Sequence, residues 1–174
     1  DGITVSARVA NMNNSSLRVV DIPKETLQAR SAGRTFPELV QSVPGVYSTS
    51  ESGSFGDAKI NIRGFKQENI SILLNGIPIS GLTSGSMYWN NWMGLAEATS
   101  SIQVQKGIGN SMLSDNSVGG TINIITARPS EKTTAEAGFT QTVYGTSSVY
   151  FNVNSGNLGK GWMFNVMGSH NWGR

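Results

Sequence analysis

The sequence predicts an α+β body followed by a run of antiparallel strands, and three observations carry that prediction. Short apolar or alternating segments closed by glycine recur at 60–65, 72–78 and 118–126. Between residues 23 and 43 the signals are helical. After Arg128-Pro129 the pattern turns to alternation, with Ala137, Phe139 and Val143, then Val149, Phe151 and Val153, then Trp162, Phe164 and Val166 sharing a face. A mixture of strands and two helices with this spacing is α+β in pattern.

Composition narrows the class. A chain of 174 residues holds one domain with a sizeable core, or one domain plus part of another. Charged residues make up 14%, well under the roughly 25% of ordinary soluble domains. Ser, Thr, Asn and Gln carry the polarity instead, which suits strands lining a water-filled space, where neutral groups are half buried without stranding charge. The net charge of +2 is too small to argue for nucleic acid. With no cysteine there is neither a disulfide scaffold nor a thiolate metal site. No signal peptide is present, so an exported protein of this sequence would be mature or trimmed, and no apolar run reaches the roughly 18–20 residues of a membrane helix.

The elements follow in order. Residues 3–9 read as a short extended segment, 11–16 as an Asn/Ser-rich link, and 17–20 as a second short strand. Pro23 sits where it opens a helix running through about residue 30 and ending near Gly33. Thr35 and Glu38 have capping-box spacing, Leu39, Val40 and Val43 supply an apolar stripe, and Pro44-Gly45 stops this second helix. Residues 48–56 read as a loop, 59–63 and 70–74 as strands, and Asn75-Gly76 as a tight turn before Ile77. An aromatic and glycine-rich loop covers 81–92, and 101–106 alternates as another strand. Residues 107–116 form a turn with one helical turn around Met112-Leu113, and Gly119-Gly120 opens a strong strand at 121–126. The strands of this part are expected to share one compact body.

Beyond Pro129, three strands of roughly 8–11 residues with one apolar and one small or polar face match the signature of a transmembrane β-barrel. An ordinary half-buried antiparallel sheet has the same period.

Enzyme chemistry finds little support. The chain has a single histidine, His170, and Asp57, Asp115 and Glu51 lie in loops without a second carboxylate at metal-ligand spacing. Gly107-Ile108-Gly109 lacks the third glycine and following helix of a dinucleotide loop. The expectation is a protein that is not an enzyme, with no catalytic site, metal or cofactor.

Three ordered motifs change the odds. Ile62-Arg63-Gly64, then Asn75-Gly76, then Val118-Gly119-Gly120-Thr121-Ile122-Asn123-Ile124-Ile125-Thr126 resemble the plug domain of TonB-dependent outer-membrane receptors over residues 1–128. Ile102-Gln103-Val104-Gln105-Lys106-Gly107 resembles another family segment, normally written with Glu second and Arg fifth. The resemblance implies a small four-stranded sheet with helices, seated in a barrel of about 22 strands and blocking its lumen. Residues 129–174 would then be the first strands of that barrel.

The resemblance also implies roles. Residues 1–7 are similar to the box by which such receptors engage TonB, and Ile3, Thr4, Val5, Ser6 and Ala7 suit a strand that joins another protein's sheet edge, although the same segment reads equally as a first strand. Arg63 and Lys106 would meet carboxylates across the plug–barrel boundary, while Ser100 and Gln103 stand where the family often carries acids, so that side of an ionic lock is missing. For either base a solvated surface charge is the competing reading, and taken alone Lys106 fits it better. Two apical loops would capture substrate, through Ser54 and Phe55 in one and Tyr88, Trp89, Asn90 and Asn91 in the other. Aromatic faces bury apolar or sugar surface and amides orient hydrogen bonds. The competing reading makes the tryptophans core anchors. Between the two, Trp92 is assigned to the core, and Tyr88 and Trp89 to the surface.

The function so implied is a plug in the outer membrane of a Gram-negative cell that occludes the barrel, contributes to capture and gates energy-coupled uptake. A siderophore, cobalamin or an oligosaccharide would be the substrate, and TonB the partner, with no nucleic acid. The alternative is a soluble secreted α+β binding or structural module, which the length of the natural chain would discriminate. By itself, a stretch ending in three open-edged strands is expected to self-associate.

Overall fold

The computed structural model describes residues 19–31, 34–50, 57–81, 84–92, 94–107, 117–143 and 145–173. Strand β1 (Val19–Pro23) runs straight into helix α1 (Lys24–Ser31). Pro23 closes the strand rather than opening the helix; it lies on an edge strand, where a missing N–H is tolerated. Helix α2 (Phe36–Val40) starts at Thr35 as expected. The Glu38 carboxylate accepts from the Thr35 amide at 2.6 Å and from its hydroxyl at 3.0 Å. The helix stops before Val43, but a turn bond from the Val43 amide to the Val40 carbonyl keeps that side chain pointing inward.

Strands β2 (Val46–Ser50) and β3 (Ala58–Ile62) pair as an antiparallel hairpin. The loop expected from residue 48 is therefore strand as far as Ser50. Two serines around a single β-branched threonine give little strand signal, and here cross-strand pairing with residues 58–60 holds them extended. At the other end, Arg63 is not part of the strand. Ile62 and Phe65 exchange both backbone hydrogen bonds around a two-residue turn, with Arg63 and Gly64 at φ 50° and 86°.

Strands β4 (Ile70–Leu74) and β5 (Ile77–Pro78) flank the Asn75-Gly76 turn. Helix α3 (Leu95–Ala98), a single turn that the sequence did not announce, leads into β6 (Thr99–Lys106), and β7 (Gly120–Thr126) completes the sheet. The order is β1-β6-β7-β4-β5, with β4 and β7 parallel and the other pairs antiparallel. Five strands thus stand where four were implied, and β2–β3 form a separate sheet. Gly120 is required where β7 begins: its φ is 137°, and an added Cβ would come within 2.4 Å of the Gln105 carbonyl oxygen.

Alternation along the sheet decides where the core sits. Ile22, Ile102, Val104, Ile122, Ile124, Ile70 and Ile72 point to one face, where they meet Leu27 of α1, Phe36, Leu39 and Val40 of α2, and Ile60 and Ile62 of β3. One apolar cluster therefore joins all four strands foreseen for this body. The opposite face carries Gln103, Gln105, Thr121 and Asn123, which are buried but polar.

Strands β8 (Thr133–Gln141), β9 (Ser147–Ser155) and β10 (Asn165–Trp172) form a meander ordered β10-β9-β8. Its polarity is reversed. Phe139, Phe151, Val153 and Val166 are exposed, while Glu136, Tyr150, Asn152 and Met167 are partly covered. The third strand begins later than alternation suggested: Trp162 and Phe164 lie in the β9–β10 connection, shaped by a bond from the Leu158 amide to the Trp162 carbonyl.

Candidate functional site

The expected binding loop lies at one end of the body, beside the 3-10 turn Gln67–Asn69. Antiparallel β5 brings the chain back alongside β4, the Ile79 amide bonding the Ile72 carbonyl at 3.0 Å. The Gly81 amide bonds the Ser86 carbonyl at 3.0 Å, and the chain then enters a second 3-10 turn, Trp89–Trp92.

Here the structure corrects the sequence reading. Trp89 is 3% exposed and belongs to the core, whereas Tyr88 is 61% exposed. The Trp89 ring stacks on Phe36 of α2, centroids 4.8 Å apart and planes 15° from parallel. Its indole N–H donates to Gln67 Oε1 at 2.8 Å, which satisfies the one polar atom that burial would otherwise strand. Trp92, expected in the core, packs only partly against it. Tyr88, Asn90 and Asn91 are left facing outward.

Gln67 is the residue that sequence reasoning missed. It is 1% exposed, and besides Trp89 it accepts from the Ile60 amide at 3.3 Å and donates from Nε2 to the Met87 carbonyl at 2.9 Å. A glutamine between an exposed lysine and an exposed glutamate gives no local sign of being buried. Next to it, the Ser86 hydroxyl donates to Glu68 Oε1 at 2.8 Å. Glu68's own backbone amide, and then this hydroxyl, hold the Glu68 carboxyl below its ordinary value, with smaller help from Lys59 and Lys66.

Arg63 and Lys106, expected at the plug–barrel boundary, come together at the Pro44-Gly45 turn. The Lys106 ammonium donates to the Pro44 carbonyl at 2.9 Å, and the Arg63 amide donates to the Gly45 carbonyl at 2.8 Å. The body meets the three-stranded sheet elsewhere. Lys24 Nζ of α1 lies 3.6 Å from Glu136 Oε2 of β8, and the Tyr150 hydroxyl donates to Glu136 Oε1 at 3.3 Å. An open cleft of about 360 Å³ lies between the Trp89–Trp92 turn with α3 and residues 167–169 of β10.

The chain leaves the body through a clasp. Asn75 Nδ2 donates to Thr126 Oγ1 at 2.9 Å, and the Thr126 amide donates back to Asn75 Oδ1 at 3.0 Å. The Ser100 hydroxyl bonds the Ile125 carbonyl at 2.9 Å. The turn that joins β4 to β5 thereby also fixes the end of β7. Ile3 to Ala7, Ser54 and Phe55 lie outside the described residues. Among the described residues, no three His, Asp or Glu side chains gather as a metal-binding group.

A small mixed sheet with short helices, followed by strands whose apolar alternates face outward, is the architecture of a plug body leading into a barrel. Residues 11–121 match the model of the TonB-dependent Receptor Plug Domain, and the chain belongs to that family. It is 31% identical over 148 residues to the probable TonB-dependent siderophore receptor PirA of Acinetobacter baumannii, an alignment spanning 78% of this chain and 20% of that protein. It is 26% identical over 160 residues to the vitamin B12 transporter BtuB of Vibrio cholerae, covering 91% of this chain and 26% of that one. The crystal structure of PirA from Acinetobacter baumannii superposes with a TM-score of 0.68 at 29% identity, covering 88% of this chain and 24% of that one. The chain thus spans between a fifth and about a quarter of the length of these relatives.

Proposed function

We propose that residues 1–128 occlude, and residues 129–174 begin, the barrel of a Gram-negative outer-membrane receptor that takes up a nutrient by energy-coupled transport, and that this protein is not an enzyme. The observation that carries the reading is the reversal of polarity in β8–β10. Phe139, Phe151 and Val153 sit outside and polar side chains face the body, an arrangement favourable where lipid replaces water. A secreted soluble module would turn those faces inward.

In this reading Tyr88, Asn90 and Asn91 contact the substrate from the apical side, with Ser54 and Phe55 contributing from the second loop. Trp89 serves them from beneath. A phenol face beside two carboxamides suits a ligand with both apolar and hydrogen-bonding surface. A siderophore or cobalamin has support from the names of the relatives. An oligosaccharide has support from the loop chemistry alone. Ile3 to Ala7 bind TonB as an added strand, and Arg63 and Lys106 face carboxylates on later parts of the barrel. Cut off from those parts, this stretch has open strand edges and self-associates.

The test is uptake by the full-length receptor in cells with and without TonB, alongside affinity measured on purified receptor for ferric enterobactin, cyanocobalamin and a malto-oligosaccharide. Val5→Pro should abolish uptake at unchanged affinity, because proline removes a ladder donor. Uptake that persists without TonB overturns energy coupling; uptake that survives Val5→Pro removes residues 1–7 from that role.

A further inference from the structure

The bonds of Gln67 leave no freedom in its orientation. The Trp89 indole and the Ile60 amide are donors only, so the atom facing both must be the carbonyl oxygen, and the Met87 carbonyl accepts only, so the atom facing it must be nitrogen. The Ile60 amide lies on the side of β3 that no strand of its two-stranded sheet covers. One uncharged, buried side chain thus completes the edge of β3, holds the loop backbone at Met87, and fixes Trp89, which in turn stacks on α2.

We propose that Gln67 is a positioning residue that locks the loop 84–92 to β3, so that the exposed Tyr88, Asn90 and Asn91 and the β2–β3 hairpin move as one unit. This rests on the reading that those three side chains face the ligand. A load on Tyr88 or Asn90 reaches the neighbouring Met87 and Trp89 at once. Both are bonded to Gln67, and Gln67 is bonded to Ile60, two residues before the turn that carries Arg63. Within a dry site such bonds form one network rather than three separate contacts. Contact at the outer surface is therefore felt in the hairpin before the central sheet need change.

Amide hydrogen exchange on the full-length receptor tests the lock without any ligand. Gln67→Met, of similar shape but without the bonds, should raise exchange about tenfold both in 58–62 and in 84–92, leaving 99–106 and 120–126 unchanged. Gln67→Glu should split the two: its oxygens still accept from Ile60 and Trp89, while one of them opposes the Met87 carbonyl, so 84–92 loosens and 58–62 stays protected. Trp89→Phe, which keeps the ring stack, gives the mildest form of the Gln67→Met pattern. A rise confined to 84–92 in Gln67→Met overturns the coupling, and a rise that includes 120–126 reduces Gln67 to a general core group. Tyr88→Ala separates this proposal from the binding reading. It should keep wild-type exchange while weakening whichever of ferric enterobactin, cyanocobalamin or a malto-oligosaccharide the receptor binds. Unchanged affinity there removes Tyr88 from the site but leaves the lock standing.

Discussion

Two sheets in this protein use the same two-residue period and treat its apolar side in opposite ways. In the five-stranded sheet Ile72, Ile102, Ile122 and Ile124 are sealed against helices and the β2–β3 hairpin, each at 0% exposure. In the three-stranded sheet the corresponding apolar alternates, Phe139, Phe151 and Val166, face outward. The difference lies in what each strand is packed against. Helices α1 and α2 bring Leu27, Phe36, Leu39 and Val40 over the first sheet, whereas the second presents its polar side to the body through Lys24 and Glu136. Alternation states that one side is apolar; it does not say which solvent that side will meet.

The largest expected effect separates the two sheets in water. Ile122→Ala should cost about 2–5 kcal/mol in denaturant unfolding of the 174-residue chain, by lost transfer energy and the cavity left behind. Phe151→Ala should cost less than about 1 kcal/mol in the same measurement, because its ring is already half exposed. Equal costs would break the comparison.

Lipid should invert the ranking on the outer face. Phe151→Arg in the full-length receptor, reconstituted in bilayers, should destabilise the barrel by about 2–4 kcal/mol if the site is near mid-membrane. In water the same change should have little effect. A receptor indifferent to this substitution in bilayers would mean that the face does not meet acyl chains.

The junction between the sheets offers a smaller effect. Asn75→Ala removes the side-chain bonds to Thr126 and places alanine at φ 52°. The loss should be about 1–3 kcal/mol, with faster amide exchange at Thr126. Exchange unchanged at Thr126 would show that the β6–β7 ladder alone holds the exit.

The smallest effect is one of pH. The folded state holds the Glu68 carboxyl below its ordinary value of 4.5, so its contribution is fully present above that pH and fades as pH falls through the lower, folded value. Protection of the Ser86 amide, taken relative to its intrinsic exchange rate at each pH, should therefore fall in acid, and Glu68→Gln should flatten the dependence. An unaltered acid profile in Glu68→Gln would remove the Ser86–Glu68 bond as its source.

Local chemistry made most of the elements legible. A strand at 70–74, the turn at Asn75-Gly76 with both residues at positive φ, the N-cap at Thr35 and the strand after Gly119-Gly120 all follow from preferences of φ and ψ that a few neighbouring residues set. The period of two also marked the three outer strands, and the ordered motifs named the family. Tertiary structure decided the rest. Trp89 is buried because Phe36 and Gln67 wait for it, Gln67 itself being 22 residues away in sequence. Ser48–Ser50 become strand because residues 58–60 supply partners, and β4 lies parallel to β7 across a long crossover. A salt bridge between body and outer strands joins Lys24 to Glu136, a pair that no motif marked. Periodicity records which side of a strand is apolar, since that is written residue by residue. Which aromatic goes inward, and which charge finds a partner, depends on groups brought together only when the chain closes on itself.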